Sequence, residues 1–112
     1  MAELDIGKLL ADIQTVASDI LKKDLRNIQG FSETQLRDLA AFAALVSAGV
    51  ASGEISADAQ PFMVKTLKEM TQHFVEVLKG LAVILVERLI NAIIDVAVKA
   101  IETASGVALK AA

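Results

Sequence analysis

His73 is the only histidine in the chain and the natural centre for any site that does chemistry. Glu69 precedes it by four residues and Glu76 follows it by three, so all three side chains would share one face of a helix. Such a carboxylate–histidine set could bind a divalent metal ion. Di-metal helical bundles, however, need two Glu-x-x-His elements and two further inward glutamates, whereas this chain has one pair in the reverse order. We therefore interpret the three residues as a solvated face and expect no metal and no other cofactor.

Other residue patterns that support chemistry are missing from the sequence. There is no cysteine, which rules out disulfides, zinc–thiolate sites, iron–sulfur clusters and cysteine nucleophiles. The six glycines form no phosphate-binding pattern, and no Ser–His–Asp motif is recognisable. Eleven basic and fourteen acidic residues give a net charge of -3, with neither a clustered basic face nor any Trp or Tyr. We predict that the protein is not an enzyme and binds no nucleic acid, and we identify no small-molecule substrate.

Length and composition favour one helical domain. A chain of 112 residues suits a single domain, which we predict over residues 1–112. It is 54% hydrophobic with a single proline, a helical composition that leaves a surplus of apolar surface to bury. The acidic N-terminal residues are not followed by an apolar run, so we expect no signal peptide and a cytoplasmic location.

The first segment is amphipathic. Apolar residues recur at helical spacing from Ile6 to Ile28, while acidic and basic residues lie on another face. This pattern predicts a helix over about residues 3–29. Gly30 is the expected stop signal.

The second helix has the clearest local start signal. Ser32 and Gln35 have the spacing of a capping box, and Phe31 and Leu36 that of a hydrophobic staple. We expect this helix over about residues 32–52. It carries a stripe of alanines and Ser47 that would let another helix approach closely.

The remaining residues pose one structural question, the role of Gly80. Asp58 is a plausible N-cap that places Pro61 in the first turn of a third helix. Gly80 could end that helix, but no capping residue follows it, and the polar stripe keeps its phase from Glu76 to Glu87. We predict one long helix over about residues 59–103, bent at Gly80, in a three-helix chain. The alternative is a break at Gly80 that gives a four-helix bundle.

The last third of the chain must be surrounded by other apolar groups. Sixteen of the twenty-one residues from Leu81 to Ile101 are apolar, far more than one buried face requires. A long helix could not be covered by the rest of the chain, so we predict self-association through residues 74–108. The predicted interface consists of Phe74, Val77, Leu78, Leu81, Leu85, Leu89, Ile90, Ile93, Val96, Ala97, Ala100 and Ala104.

Two other surroundings stay open. Glu87, Arg88, Asp95 and Lys99 interrupt the apolar segment, which disfavours a transmembrane span but allows a membrane-active protein that is amphitropic or pore-forming. A carrier of an apolar ligand would use the same surface. Sequence alone does not separate these possibilities from a homo-oligomeric structural or interaction protein.

Three segments of the chain carry a resemblance: Ala51-Ser-Gly-Glu-Ile-Ser, Glu87-Arg-Leu-Ile-Asn-Ala-Ile-Ile-Asp and Thr103-Ala-Ser-Gly-Val-Ala-Leu. Over about residues 40–110 the chain resembles small all-helical proteins encoded by phages and prophages. These proteins share a Gly-Glu-Ile turn, a polar helix, and a long alanine- and isoleucine-rich helix ending near a glycine. The resemblance implies a virion component, an assembly factor or a phage–host interaction protein, without any known activity. A phage-encoded protein would be located in the virion.

Overall fold

Residues 3–109 are described by a computed structural model, and within them the chain is helical without any strand. Its elements are α1 (Ile6–Leu21), a short 3₁₀ helix (Leu25–Asn27), α2 (Glu33–Ser52), α3 (Gln60–Glu76) and α4 (Val83–Ser105). The radius of gyration is 13.8 Å, close to the ~13 Å expected of a compact domain of this length. The predicted all-helical class is confirmed, and the architecture is a four-helix bundle.

The last helix occupies the centre of this bundle. α4 packs against α1, α2 and α3. Its most buried apolar residues, Leu89, Ile93, Ala97 and Ile101, recur every four residues and are at most 1% exposed. Burying a leucine or isoleucine side chain contributes about 1.5–3 kcal/mol, so this column is a major source of stability. Neighbours on three sides explain much of the apolar composition of α4.

The predicted single helix over residues 59–103 is wrong. α3 ends at Glu76, Gly80 adopts the left-handed conformation with φ +79°, and α4 begins at Val83. The turn folds α4 back onto the other three helices, where its apolar column is covered within the same chain. The burial of this column against α1, α2 and α3 therefore outweighs the regular helical spacing of residues that favoured one long helix.

The first predicted helix was too long. α1 ends at Leu21, because Lys22 takes the left-handed conformation with φ 60°. The chain then turns into the 3₁₀ helix, where the Leu25 N–H donates to Ser18 Oγ at 3.0 Å. This turn places Leu25 at 0% and Ile28 at 6% exposure, in the core. The apolar stripe continues past residue 21, but a change of direction buries it.

The predicted start of α2 is confirmed, and that of α3 is confirmed in part. Ser32 is the N-cap of α2, and its side chain accepts the Gln35 N–H at 3.1 Å. Pro61 lies in the first turn of α3, as predicted. Asp58 is not the N-cap, however: Ala59 holds that position, without a side-chain hydrogen bond.

Candidate interaction surface

The connection between α3 and α4, residues 77–82, positions the most exposed apolar side chains of α4. Val77 is the C-cap of α3, with helical backbone angles (φ -84°, ψ -9°). The Leu78 N–H still donates to the Val75 carbonyl at 3.0 Å, and Gly80 then reverses the chain. Ala82 is the N-cap of α4 and makes no side-chain capping bond. α4 thus begins directly after the chain reversal at Gly80, without a capping side chain to mark its start.

The loop between α1 and α2 holds this connection from the other side. The Lys79 N–H donates to the Gln29 carbonyl at 2.8 Å. Gly30, with φ +95°, lies so close to Val77 that a Cβ atom there would overlap the Val77 carbonyl oxygen. These contacts join the two loops into one corner of the bundle.

An aromatic pair lies beneath the two joined loops. The rings of Phe31 and Phe74 meet edge to face, with centroids 6.0 Å apart. Phe74 is only 1% exposed, whereas Phe31 is half-buried. The edge-to-face arrangement is one that aromatic rings favour, so the pair stabilises the corner.

Apolar side chains point into solvent at this corner. Val83 is 76% exposed, Ile84 68% and Val77 44%, and Leu81 and Leu85 are half-buried. The sequence from Leu81 to Val86 contains no polar residue, so a helix that begins there must present apolar groups on its outer side. We call Val77, Leu81, Val83, Ile84 and Leu85 the apolar corner.

The twelve residues predicted as an oligomer interface fall into two groups. Six are buried inside the bundle: Phe74, Leu78, Leu89, Ile93, Ala97 and Ala104. Five are half-buried, namely Leu81, Leu85, Ile90, Val96 and Ala100, and only Val77 is exposed. The buried group lies in the core of its own chain, whereas the remaining six reach the surface.

The prediction missed Val83 and Ile84, the two most exposed members of the apolar corner. Both belong to the first turn of α4, and neither is among the twelve predicted interface residues. The signal that could have found them is the six-residue run without a polar position, since any orientation of that turn leaves apolar groups outside.

The residues considered for metal binding are not assembled into a site. Glu69, His73 and Glu76 are all exposed on α3. Over residues 3–109, no three histidine, aspartate or glutamate side chains lie together in an arrangement that could hold a metal ion.

The clearest electrostatic feature is local to the start of the 3₁₀ helix. The Arg26 guanidinium donates to both Asp24 carboxylate oxygens, at 3.1 and 2.8 Å, and the Arg26 N–H donates to Oδ1 at 2.9 Å. These hydrogen bonds, the side-chain ones above all, lower the pKa of Asp24 from 3.8 to about 2. The pair caps a turn in solvent and has no further titratable partner among its hydrogen bonds.

A second exposed apolar residue lies beside a groove on α2. Leu45 is 70% exposed and borders an open groove of about 760 Å³. Alanines of α2, Leu4, Ile6 and Ala104 form most of its walls. This groove lies beside the C-terminal end of α4, away from the apolar corner at its N-terminal end.

The hydropathy of the helices and the comparisons with known proteins are two further findings. Among the helices of residues 3–109, none combines the length and the hydropathy required to cross a bilayer. Family models, curated proteins and solved structures gave no match to the chain.

Proposed function

We propose that the protein is a non-enzymatic helical structural or interaction protein that self-associates through the apolar corner. The observation that carries this proposal is the exposure of Val83 and Ile84, at 76% and 68%, on the most apolar helix of the chain. Neighbouring apolar side chains exposed at one corner are typical of surfaces that meet a partner. The resemblance to small phage proteins favours a virion or assembly component.

A second copy of the chain is the proposed partner. In a two-fold dimer each corner meets its own equivalent, so Val83 and Ile84 contribute twice. Burying four such side chains contributes roughly 6–12 kcal/mol, which is comparable to the estimated 4–15 kcal/mol cost of association. Val77, Leu81 and Leu85 must therefore join the interface, and we expect a moderate, concentration-dependent association.

The interface proposed here is narrower than the stripe predicted from the sequence. The buried half of that stripe, such as Ile93 at 0% exposure, serves the core of its own chain. A charge at Ile93 would therefore unfold the monomer and would not test the interface. Ile84 is the better position, because its side chain can change without loss of core packing.

Absolute mass by size-exclusion chromatography with light scattering tests the proposal. We expect the unmodified chain to exceed its monomer mass of 11.8 kDa as concentration rises, and Ile84→Asp to elute as a monomer. Leu45→Asp is the matched control, since Leu45 is 70% exposed on α2, and it should leave the mass unchanged. Circular dichroism of each variant confirms that the helices are retained.

Two outcomes would contradict the proposal. A monomer at every concentration would remove self-association altogether. Loss of the oligomer in Leu45→Asp but not in Ile84→Asp would move the interface to the groove on α2.

A second candidate function is membrane activity through the same corner. Val83 and Ile84 could enter the boundary of a bilayer while exposed Lys79 and Arg88 on either side remain with the headgroups. Flotation with zwitterionic and with anionic vesicles separates the two candidates. Binding that Ile84→Asp abolishes would favour the membrane, and absence of flotation with both vesicle types would count against it.

A further inference from the structure

We propose that α4 exchanges between two copies of the chain, by opening the turn at Gly80 so that α3 and α4 become one helix. The α4 of each copy would then complete the bundle of the other. This inference rests on the proposed self-association and specifies its mechanism. It concerns the connection over residues 77–82 rather than the surface alone.

The backbone of this connection is helical at Val77 and leaves the helical conformation at Gly80 and at Ala82, whose ψ is 151°. Val77 already has helical angles, and the Leu78 N–H makes a helix-like bond to Val75. Gly80, with φ +79°, is the only residue between α3 and α4 in the left-handed region, and nothing lies within 4 Å of a Cβ built on it. Ala82 provides no side-chain cap that would fix the start of α4. Few local interactions therefore hold the turn in place of a helix.

The sequence keeps helical phase through the turn. Phe74, Leu78, Leu81, Leu85 and Leu89 are spaced by four, three, four and four residues, which is one continuous helical stripe. Glu76, at the end of α3, and Glu87, in α4, are separated by about three helical turns, so they would lie on the same side of a straight helix. A straight helix would thus have one mainly apolar and one mainly polar side, with Val83 between Lys79 and Glu87 on the polar side.

Exchange preserves the core and covers part of the apolar corner, namely Val77, Leu81 and Ile84. The column from Leu89 to Ile101 would meet the same α1, α2 and α3 surfaces, supplied by the other copy. Val77, Leu81 and Ile84 would stand at i, i+4 and i+7 on the straightened helix, forming a stripe that two crossing helices can bury against each other. The losses are the bond from the Lys79 N–H to Gln29 and the close contact at Gly30.

The turn between α2 and α3 cannot open in this way. Pro61 lies in the first turn of α3, and a continuous helix through it would lose a hydrogen bond and clash with the preceding turn. Gly53 in that turn also has φ +83° with nothing within 4 Å of its Cβ position. Gly106 ends α4 with φ +73° and open space, and no described helix follows it. Gly53 and Gly106 thus share with Gly80 a left-handed backbone and an open Cβ position. Unlike Gly80, neither of them separates two helices that could become one.

Gly80→Ala is the first test. Alanine disfavours the left-handed turn and favours a helix, and a dimer contains the change twice, so the dimerisation constant should rise on the order of a thousand-fold. Gly53→Ala and Gly106→Ala should weaken the fold to a similar extent without raising dimerisation. Light scattering over a range of concentrations measures all three variants. Equal masses for the three variants would overturn the proposal.

Complementation separates exchange from surface contact. Two full-length chains carry Gly80→Ala, one with Ile13→Asp in α1 and the other with Ile93→Asp in α4; both positions are 0% exposed, so each chain alone should fail to fold. In an exchanged heterodimer, one of the two bundles contains neither aspartate, so mixing should restore helical circular dichroism and a heterodimer mass.

The outcomes of mixing are decisive for exchange. A signal equal to the sum of the separate chains would overturn it. That result would leave the proposed function standing if the unmodified chain still forms an oligomer that Ile84→Asp disrupts.

Discussion

The starts of the first two long helices differ from those of the last two. The N-cap of α1 is Asp5, whose side chain accepts the Lys8 N–H at 3.1 Å, and the N-cap of α2 is Ser32, whose side chain accepts the Gln35 N–H in the same way. The N-caps of α3 and α4 are Ala59 and Ala82, and neither makes a side-chain capping bond. Residues nearby in the sequence thus determine where α1 and α2 begin, whereas contacts with other parts of the fold determine where α4 begins.

This difference explains why apolar side chains are exposed at the start of α4. A capped start places polar residues at the helix end, as Ser32 and Glu33 do in α2. The uncapped start of α4 consists of apolar residues only, and two of them, Val83 and Ile84, are largely exposed. The start of α4 has no polar capping residue. This absence accounts both for the exposed side chains of the apolar corner and for a turn at Gly80 that could become helical.

The largest expected loss of stability comes from disturbing the close contact between Gly30 and Val77, which holds the connection before α4 in place. Gly30→Ala places a methyl group against the Val77 carbonyl and forces alanine into a left-handed conformation. We expect the free energy of unfolding to fall by about 3 kcal/mol, the sum of backbone strain and overpacking. Urea denaturation followed by circular dichroism measures it.

Gly53→Ala is the matched control for this change, because its φ is similar and nothing lies near its Cβ position. It should cost about 1 kcal/mol through backbone strain alone. Equal losses in the two variants would mean that the contact between Gly30 and Val77 does not hold the corner.

A smaller effect is expected from giving α4 the signal that it lacks. Ala82 has extended angles (φ -68°, ψ 151°) suitable for an N-cap, so Ala82→Asp should accept a free N–H of the first turn. Thermal or urea unfolding should show a gain of about 1 kcal/mol, and Ser32→Ala in α2 a loss of about 1 kcal/mol. An unchanged or lower stability for Ala82→Asp would show that α4 does not lack a cap.

The smallest effect concerns a locally fixed turn in the first half of the chain. Arg26→Gln removes the two guanidinium hydrogen bonds that contribute most to lowering the pKa of Asp24 to about 2 and keeps the backbone one, so NMR titration should find this pKa nearer to 3.8. Because folding lowers the pKa, the contribution of Asp24 to stability is present above 3.8 and is lost as pH falls through about 2. A pKa unaltered by the substitution would contradict the role of Arg26.

Sequence patterns were sufficient for the elements with local signals. The all-helical class, the start of α2 at Ser32 and its end at Ser52 agree with the structure. The end of α1 was misplaced and the N-cap of α3 was predicted one residue too early, because Lys22 and Ala59 are not residues typical of helix boundaries. The self-association surface stays a prediction, now placed on Val83 and Ile84 as well as on part of the original stripe.

The amino-acid sequence by itself determined that the chain forms helices, that α2 begins after its N-cap Ser32, and that residues 81–101 are apolar on more than one side of a helix. Spacing and capping are properties of neighbouring residues, so they can be read from the chain directly. Only the tertiary structure decided that α4 folds back at Gly80 and takes its surroundings from α1, α2 and α3. A continuous helix and a turn both suit residues 77–82 locally, and the burial of Leu89, Ile93, Ala97 and Ile101 selects the turn within one chain.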